Sequence, residues 1–125
     1  MQHSKLPLAC DVAALVPDGA KPSPAALKEA RERAERVAAD VFAAAVAVLE
    51  LPDGYRIQLR DVPAILVRAA EFVDIDRRCC GLLRHALVVD VGGTGIWLEP
   101  TGDDDAKAVV TPDLKRLLPA SVTSC

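Results

Sequence analysis

Between Leu27 and Leu59 the apolar residues change their spacing, from three or four positions to two, and this switch limits the chain to a fold that mixes helices with half-buried strands. Leu27, Ala30, Ala34, Val37 and Val41 form one helical stripe, with Lys28, Glu29, Arg31, Glu32, Arg33, Glu35 and Arg36 on the other sides. Ser23 supplies an N-cap and Pro24 the first helical position, so the pattern predicts a helix over 24–43. From Ala45 onward Val46 and Val48 alternate with alanines. Beyond Leu51, Pro52, Asp53, Gly54 and Tyr55, the residues Tyr55, Ile57 and Leu59 alternate with Arg56, Gln58 and Arg60. Two period-2 runs about a Pro-Asp-Gly turn predict a hairpin with one wet face.

The same alternation recurs downstream. Ile65, Ala69, Phe72, Ile75 and Cys79 make a second stripe, for which Asp61 is the expected cap, Pro63 a first-turn residue and Gly81 the stop. Leu83, His85, Leu87, Val89 and Val91 then alternate, Gly92 to Gly95 turn the chain, and Ile96, Trp97, Leu98 and Glu99 return. Past Pro100 the pattern predicts two short helices, Asp103 to Val110 and Pro112 to Leu118, the second capped by Thr111. The expected fold class is α+β, in the order helix, β-hairpin, helix, β-hairpin, short C-terminal helices, with an antiparallel sheet of about four strands. Residues 1–22 read as an irregular N-terminal arm, 23–118 as one α+β domain and 119–125 as a C-terminal tail.

Composition narrows the function classes. A chain of 125 residues can bury roughly two thirds of its unfolded surface as one domain. With aromatics at 3% the core should be aliphatic, Trp97, Tyr55, Phe42 and Phe72 being its few large pieces. The 15 basic and 18 acidic residues are interspersed, so no basic stripe exists to neutralise phosphates and no nucleic-acid partner is expected. Asp40 and Glu50 bracket the longest apolar run, which is too short to span a membrane. The residues before Cys10 lack the apolar stretch of at least ~7 that a lipoprotein signal needs, and a cytoplasmic location is expected. In that reducing compartment the 4 cysteines are expected as thiols.

Chemistry concentrates at Cys79 and Cys80. Adjacent Cα atoms lie ~3.8 Å apart, whereas an unstrained disulfide prefers ~5.5 Å, so the pair is better suited to share a third atom than to bond to itself. Vicinal thiolates match soft ions such as Hg(II), Cu(I), Zn(II) or trivalent arsenic. Cys79 falls on the inward stripe and Cys80, about 100° further round, at its edge near Val73 and Asp76. The helix C-terminus raises a thiol pKa while Arg77 and Arg78 lower it, and Asp74 is spaced to hold an arginine away. His85, on the next strand, is either a nitrogen ligand or a hydrogen-bonded core residue. The glycines from Gly92 precede a strand and so make no phosphate cradle, and Asp103, Asp104 and Asp105 complement a helix dipole. No nucleotide or organic cofactor is indicated.

The run Phe72 to Cys80, followed by Gly92, Gly93, Ile96, Trp97, Leu98, Thr101 and Gly102, resembles an uncharacterised family of small bacterial proteins with a Cys-Cys-Pro-Phe-like motif. Cys10 and the Leu51–Tyr55 turn match further features of that family, so the resemblance covers about residues 8–110. Gly81, Leu82 and Leu83 stand where the family has its proline and aromatics. The family is loosely associated with heavy-metal handling. The resemblance implies Cys10, Cys79 and Cys80 as thiol ligands, with Cys10 able to complete a three-sulfur site. The expected function is thus non-enzymatic capture of a soft metal or metalloid ion, with Cys79, Cys80, Cys10 and His85 as candidate ligands. The alternatives are a thiol-based redox or transfer enzyme and a small protein-interaction module, the latter with room for a homodimer.

Overall fold

The computed structural model describes residue 15 and residues 23–79, 81–90, 92, 95–119 and 123–124. Its elements are α1 (Pro24–Ala43), β1 (Ala45–Leu51), β2 (Gly54–Leu59), α2 (Ile65–Cys79), β3 (Arg84–Val89), β4 (Ile96–Thr101), α3 (Asp104–Leu117) and β5 (Thr123–Ser124). The helix, hairpin, helix, hairpin, helix order is the one the periodicities predict. Four strands pair antiparallel, and β5 adds a short parallel pairing to β1, giving the order β3-β4-β2-β1-β5. The described part of the expected arm is Leu15, which packs beside Ala34, Leu27 and Ile75. Two residues of the expected tail, Thr123 and Ser124, form β5.

All three helices bury a face against one side of the sheet. From α1 come Val37, Ala38, Val41 and Phe42, from α2 Ile65, Ala69 and Phe72, and from α3 Leu114. The sheet meets them with Val48, Tyr55, Ile57, Leu59, Ile96 and Leu98. Phe42 and Phe72 touch edge to face, with centroids 5.1 Å apart, a geometry that suits the ring quadrupoles. Trp97 departs from the expected core: it is half-buried on the opposite side of β4, where the Arg56 guanidinium stacks 4.1 Å from its ring centroid and Asp90 accepts its indole N–H.

Local chemistry explains where each element starts and stops. The Ser23 hydroxyl accepts the Ala26 N–H at 3.1 Å, fixing the start of α1 as its sequence predicts. Between Ala45 and Ala47 the register against β2 slips, so Ala45 and Val48 are buried rather than Val46 and Val48. The second helix begins three residues later than the Asp61 cap predicts. Pro63 disfavours helical geometry at Val62, and Ala64 takes a left-handed φ of 66°, so the segment makes a turn, with Ile65 N–H donating to the Val62 carbonyl at 3.1 Å, and the helix starts only at Ile65. Gly81 ends α2 as expected, at φ 63°, its N–H reaching back to the Asp76 carbonyl.

The two expected C-terminal pieces are one helix. Thr111 does not cap: its hydroxyl donates to the Lys107 carbonyl at 2.8 Å, inside α3. Pro112 is exposed, so the carbonyl it leaves without an N–H partner can turn to water while the helix continues. Asp103 supplies the actual cap, accepting the Ala106 N–H at 2.8 Å, and Asp104 and Asp105 complement the dipole as expected.

At the first hairpin, β2 opens with Gly54 directly against β4. A Cβ there would lie 2.0 Å from the Pro100 carbonyl oxygen, so the strands approach as closely as they do only because the side chain is missing. The Gly54→Ala substitution is expected to destabilise the fold by about 3 kcal/mol, the upper part of the range for overpacking, read as a lower urea midpoint at unchanged slope.

Candidate functional site

The vicinal cysteines sit where α2 closes and the chain turns toward β3. Cys79 is 8% exposed on the last turn of α2, on the inward stripe as its spacing predicts. Cys80, Cys10 and Cys125 lie outside the described residues. Among the described residues no three His, Cys, Asp or Glu side chains form a group that could hold a metal, so a soft-ion shell there has to draw on Cys80 or Cys10.

The flanking arginines are both committed to one carboxylate. Asp74 Oδ1 accepts from Arg77 Nε at 2.9 Å and from Arg78 Nε at 3.2 Å. The hydrogen bond from Arg77, and after it Arg78, holds the Asp74 carboxyl below its usual range. Charge that could stabilise a thiolate is spent in an exposed ion pair on another side of the helix.

One turn before Cys79 lies a residue the stripe reading passed over. Asp76 is 5% exposed although it is an acid, and its Oδ2 lies 2.7 Å from Nε2 of His85, whose side chain is 3% exposed. His85 therefore is a hydrogen-bonded core histidine on one of its nitrogens. A carboxylate only accepts, so Nε2 carries a proton, and in the neutral imidazole Nδ1 then presents a lone pair. That Nδ1 is buried and has no hydrogen-bond partner among the described residues. Phe72, one turn earlier, packs edge to face with the imidazole, ring centroids 5.8 Å apart. Burying such an acceptor unmet costs about 1–3 kcal/mol. The signal was in the sequence: Phe72, Asp76 and Cys79 recur at spacings of four and three, which puts an acid on the apolar stripe.

A groove lies between the first hairpin and α3. It encloses about 740 Å³ and is walled by Val48, Tyr55, Leu114 and Leu118, with Lys107 and Lys115 at its polar side. Lys107 is only 18% exposed, and its ammonium donates to Glu50 Oε2 and to the Leu51 carbonyl, both at 2.7 Å. The Tyr55 and Thr111 hydroxyls bond at 2.5 Å. Lys107 and the Tyr55 and Thr111 hydroxyls thus tie α3 to the hairpin.

Comparison with protein families, with curated proteins and with solved structures finds no match to this chain.

Two outcomes follow from these pairings. Asp76→Ala should cost about 3–5 kcal/mol, as breaking a buried pair does, while Asp76→Leu with His85→Leu together should cost much less; additive losses in a double-mutant cycle would contradict the coupling. Lys107 holds the Glu50 carboxyl below its ordinary 4.5, chiefly by its hydrogen bond. A depressed folded-state pKa adds stability above the unfolded value that is lost as pH falls through the folded one. Thermal midpoints of Glu50→Gln should therefore fall below wild type at pH 7 and converge with it on acidification below about pH 4.5.

Proposed function

We propose that this chain captures a soft metal or metalloid ion, Hg(II), trivalent arsenic, Cu(I) or Zn(II), through the vicinal thiols of Cys79 and Cys80, without turning over a substrate, in the reducing cytoplasm. The observation that carries the reading is the burial of Cys79 beside two arginines that both turn to Asp74. A nucleophilic cysteine needs access and a cation that stabilises its thiolate. Here the inward thiol has little access and the nearby cations are occupied. The position at a helix C-terminus opposes thiolate formation further. A bound soft ion removes that obstacle, because its own charge deprotonates a coordinating thiol outright. The resemblance to the metal-associated bacterial family supports the same assignment, with Cys10 as a further sulfur donor. No helix among the described residues is long and apolar enough to cross a membrane, in keeping with the compartment proposed.

Titration of the reduced chain with Hg(II), arsenite, Cu(I) and Zn(II), beside Cys79→Ser/Cys80→Ser, tests the reading. One ion per chain is expected for wild type, and loss of at least a hundredfold in affinity for the double variant. Equal binding by the two proteins would overturn it. Alkylation of the reduced protein at pH 7 should run no faster than that of a small-molecule thiol; a clearly faster reaction would turn the assignment toward a redox or transfer enzyme.

A further inference from the structure

We propose that His85 is the nitrogen ligand of the thiol site, binding through Nδ1, and that Asp76 is the residue that positions it. The ion selected is then one that takes two thiolates and an imidazole, with Zn(II) as its type. This inference rests on the thiol reading above.

The argument starts from the orphaned nitrogen. A histidine held in a core for packing uses both ring nitrogens, or leaves the second one to solvent. His85 does neither: the side chain is 3% exposed, Nε2 is taken by Asp76, and Nδ1 has no hydrogen-bond partner among the described residues. What is left is a lone pair with a fixed direction, since the carboxylate at 2.7 Å and the Phe72 ring, nearly perpendicular to the imidazole with centroids 5.8 Å apart, both restrain it. That is the arrangement a metal-binding imidazole shows. Its second nitrogen donates to a carboxylate, which sets the tautomer, the ring orientation and the basicity of the ligating nitrogen.

The fold sets the clamped imidazole and the cysteine turn on adjoining segments of the chain. Phe72, Asp76 and Cys79 share one face of α2, so the face that clamps the imidazole also carries the inward sulfur. Gly81, with φ at 63°, reverses the chain just past the cysteine pair, and β3 begins at Arg84. His85 is thus the second residue of the strand that returns from the cysteine turn. Cys80, next to Cys79 in the chain, would supply the second sulfur.

Donor chemistry then separates the candidate ions. Zinc accepts mixed sulfur and nitrogen shells, with Zn–S near 2.3 Å and Zn–N about 2.0–2.1 Å. Trivalent arsenic is satisfied by sulfur, and an imidazole adds nothing to its shell. A site with His85 in it should therefore distinguish the two, whereas a site made of sulfurs alone should not.

The test uses the full, reduced, 15N-labelled chain with zinc chloride alone and with arsenite alone. His85 Nδ1 is expected to change its 15N shift on zinc addition and not on arsenite addition. Asp76→Asn, which keeps the side-chain shape, should weaken zinc binding 10- to 100-fold, the range for loss of such an outer partner, and leave arsenite binding in place. His85→Gln should weaken zinc at least as much. The amide spectrum of each variant reports whether it is folded. If zinc binds wild type, is lost in Cys79→Ser/Cys80→Ser, and leaves His85 Nδ1 unmoved, the histidine assignment is overturned and the thiol reading stands. If the double cysteine variant keeps wild-type affinity for every ion, the thiol reading itself has failed. Absence of zinc binding by wild type that still takes arsenite also overturns the histidine assignment.

Discussion

The structure depends on one constraint, that a sheet of short strands with few aromatic residues must hide its apolar face under helices. Val48, Ile57, Leu59, Ile96 and Leu98 supply that face, and Val41, Phe42, Ala69 and Phe72 cover it. Alanines at the contact let the helices come close, as Ala38 and Ala69 are 1% and 0% exposed. The two phenylalanines meet edge to face between α1 and α2, with centroids 5.1 Å apart. Every other feature is placed by this packing. The direction of α2 across the sheet sets Asp76 over β3, and the position of α3 sets Lys107 over the first hairpin.

Much of this architecture is legible in the sequence because period and burial coincide. Ser23, Gly81 and Asp103 act locally, through one side chain or one permissive backbone, and their effects survive whatever the rest of the chain does. The misreadings arise where a distant or competing effect decides. Asp61 looks like a cap, but the conformational restriction that Pro63 imposes on Val62 prevails over it. Thr111 before Pro112 looks like a helix start, but the burial of Leu114 and the exposure of Pro112 make a continuous helix the better compromise. Trp97 has the size of a core residue, yet strand alternation assigns it to the side where Arg56 can stack on it. Period outranks side-chain size.

The candidate site was legible only in part, for a related reason. Two adjacent cysteines are conspicuous in any fold, so Cys79 and Cys80 stand out as candidates without tertiary information. The role of His85 depends on a partner nine residues earlier in the chain, on another element. Asp76 reads as one more charge in an acidic and basic stretch that includes Asp74, Arg77 and Arg78. Only the helical spacing from Phe72 and Cys79 distinguishes the acid that is buried from the one that is exposed. Once they are separated, the two have opposite effects: Asp74 draws cations outward, and Asp76 fixes an imidazole inward.

That division bears on why such a pair persists in a small core. A buried carboxylate and imidazole are costly to desolvate, and a matched pair of apolar side chains would serve stability as well or better. The Asp76–His85 pair is moreover incomplete among the described residues, since its remaining nitrogen has no partner there, at a further cost. Nothing in the packing requires this nitrogen, as Phe72 and Leu87 already seal that end of the sheet. A group that lowers stability and is positioned by two neighbours fits the general pattern in which local cost marks a site of function. The pair also lies between a helix terminus and an edge strand, elements whose ends can open without disturbing the Phe42–Phe72 seam.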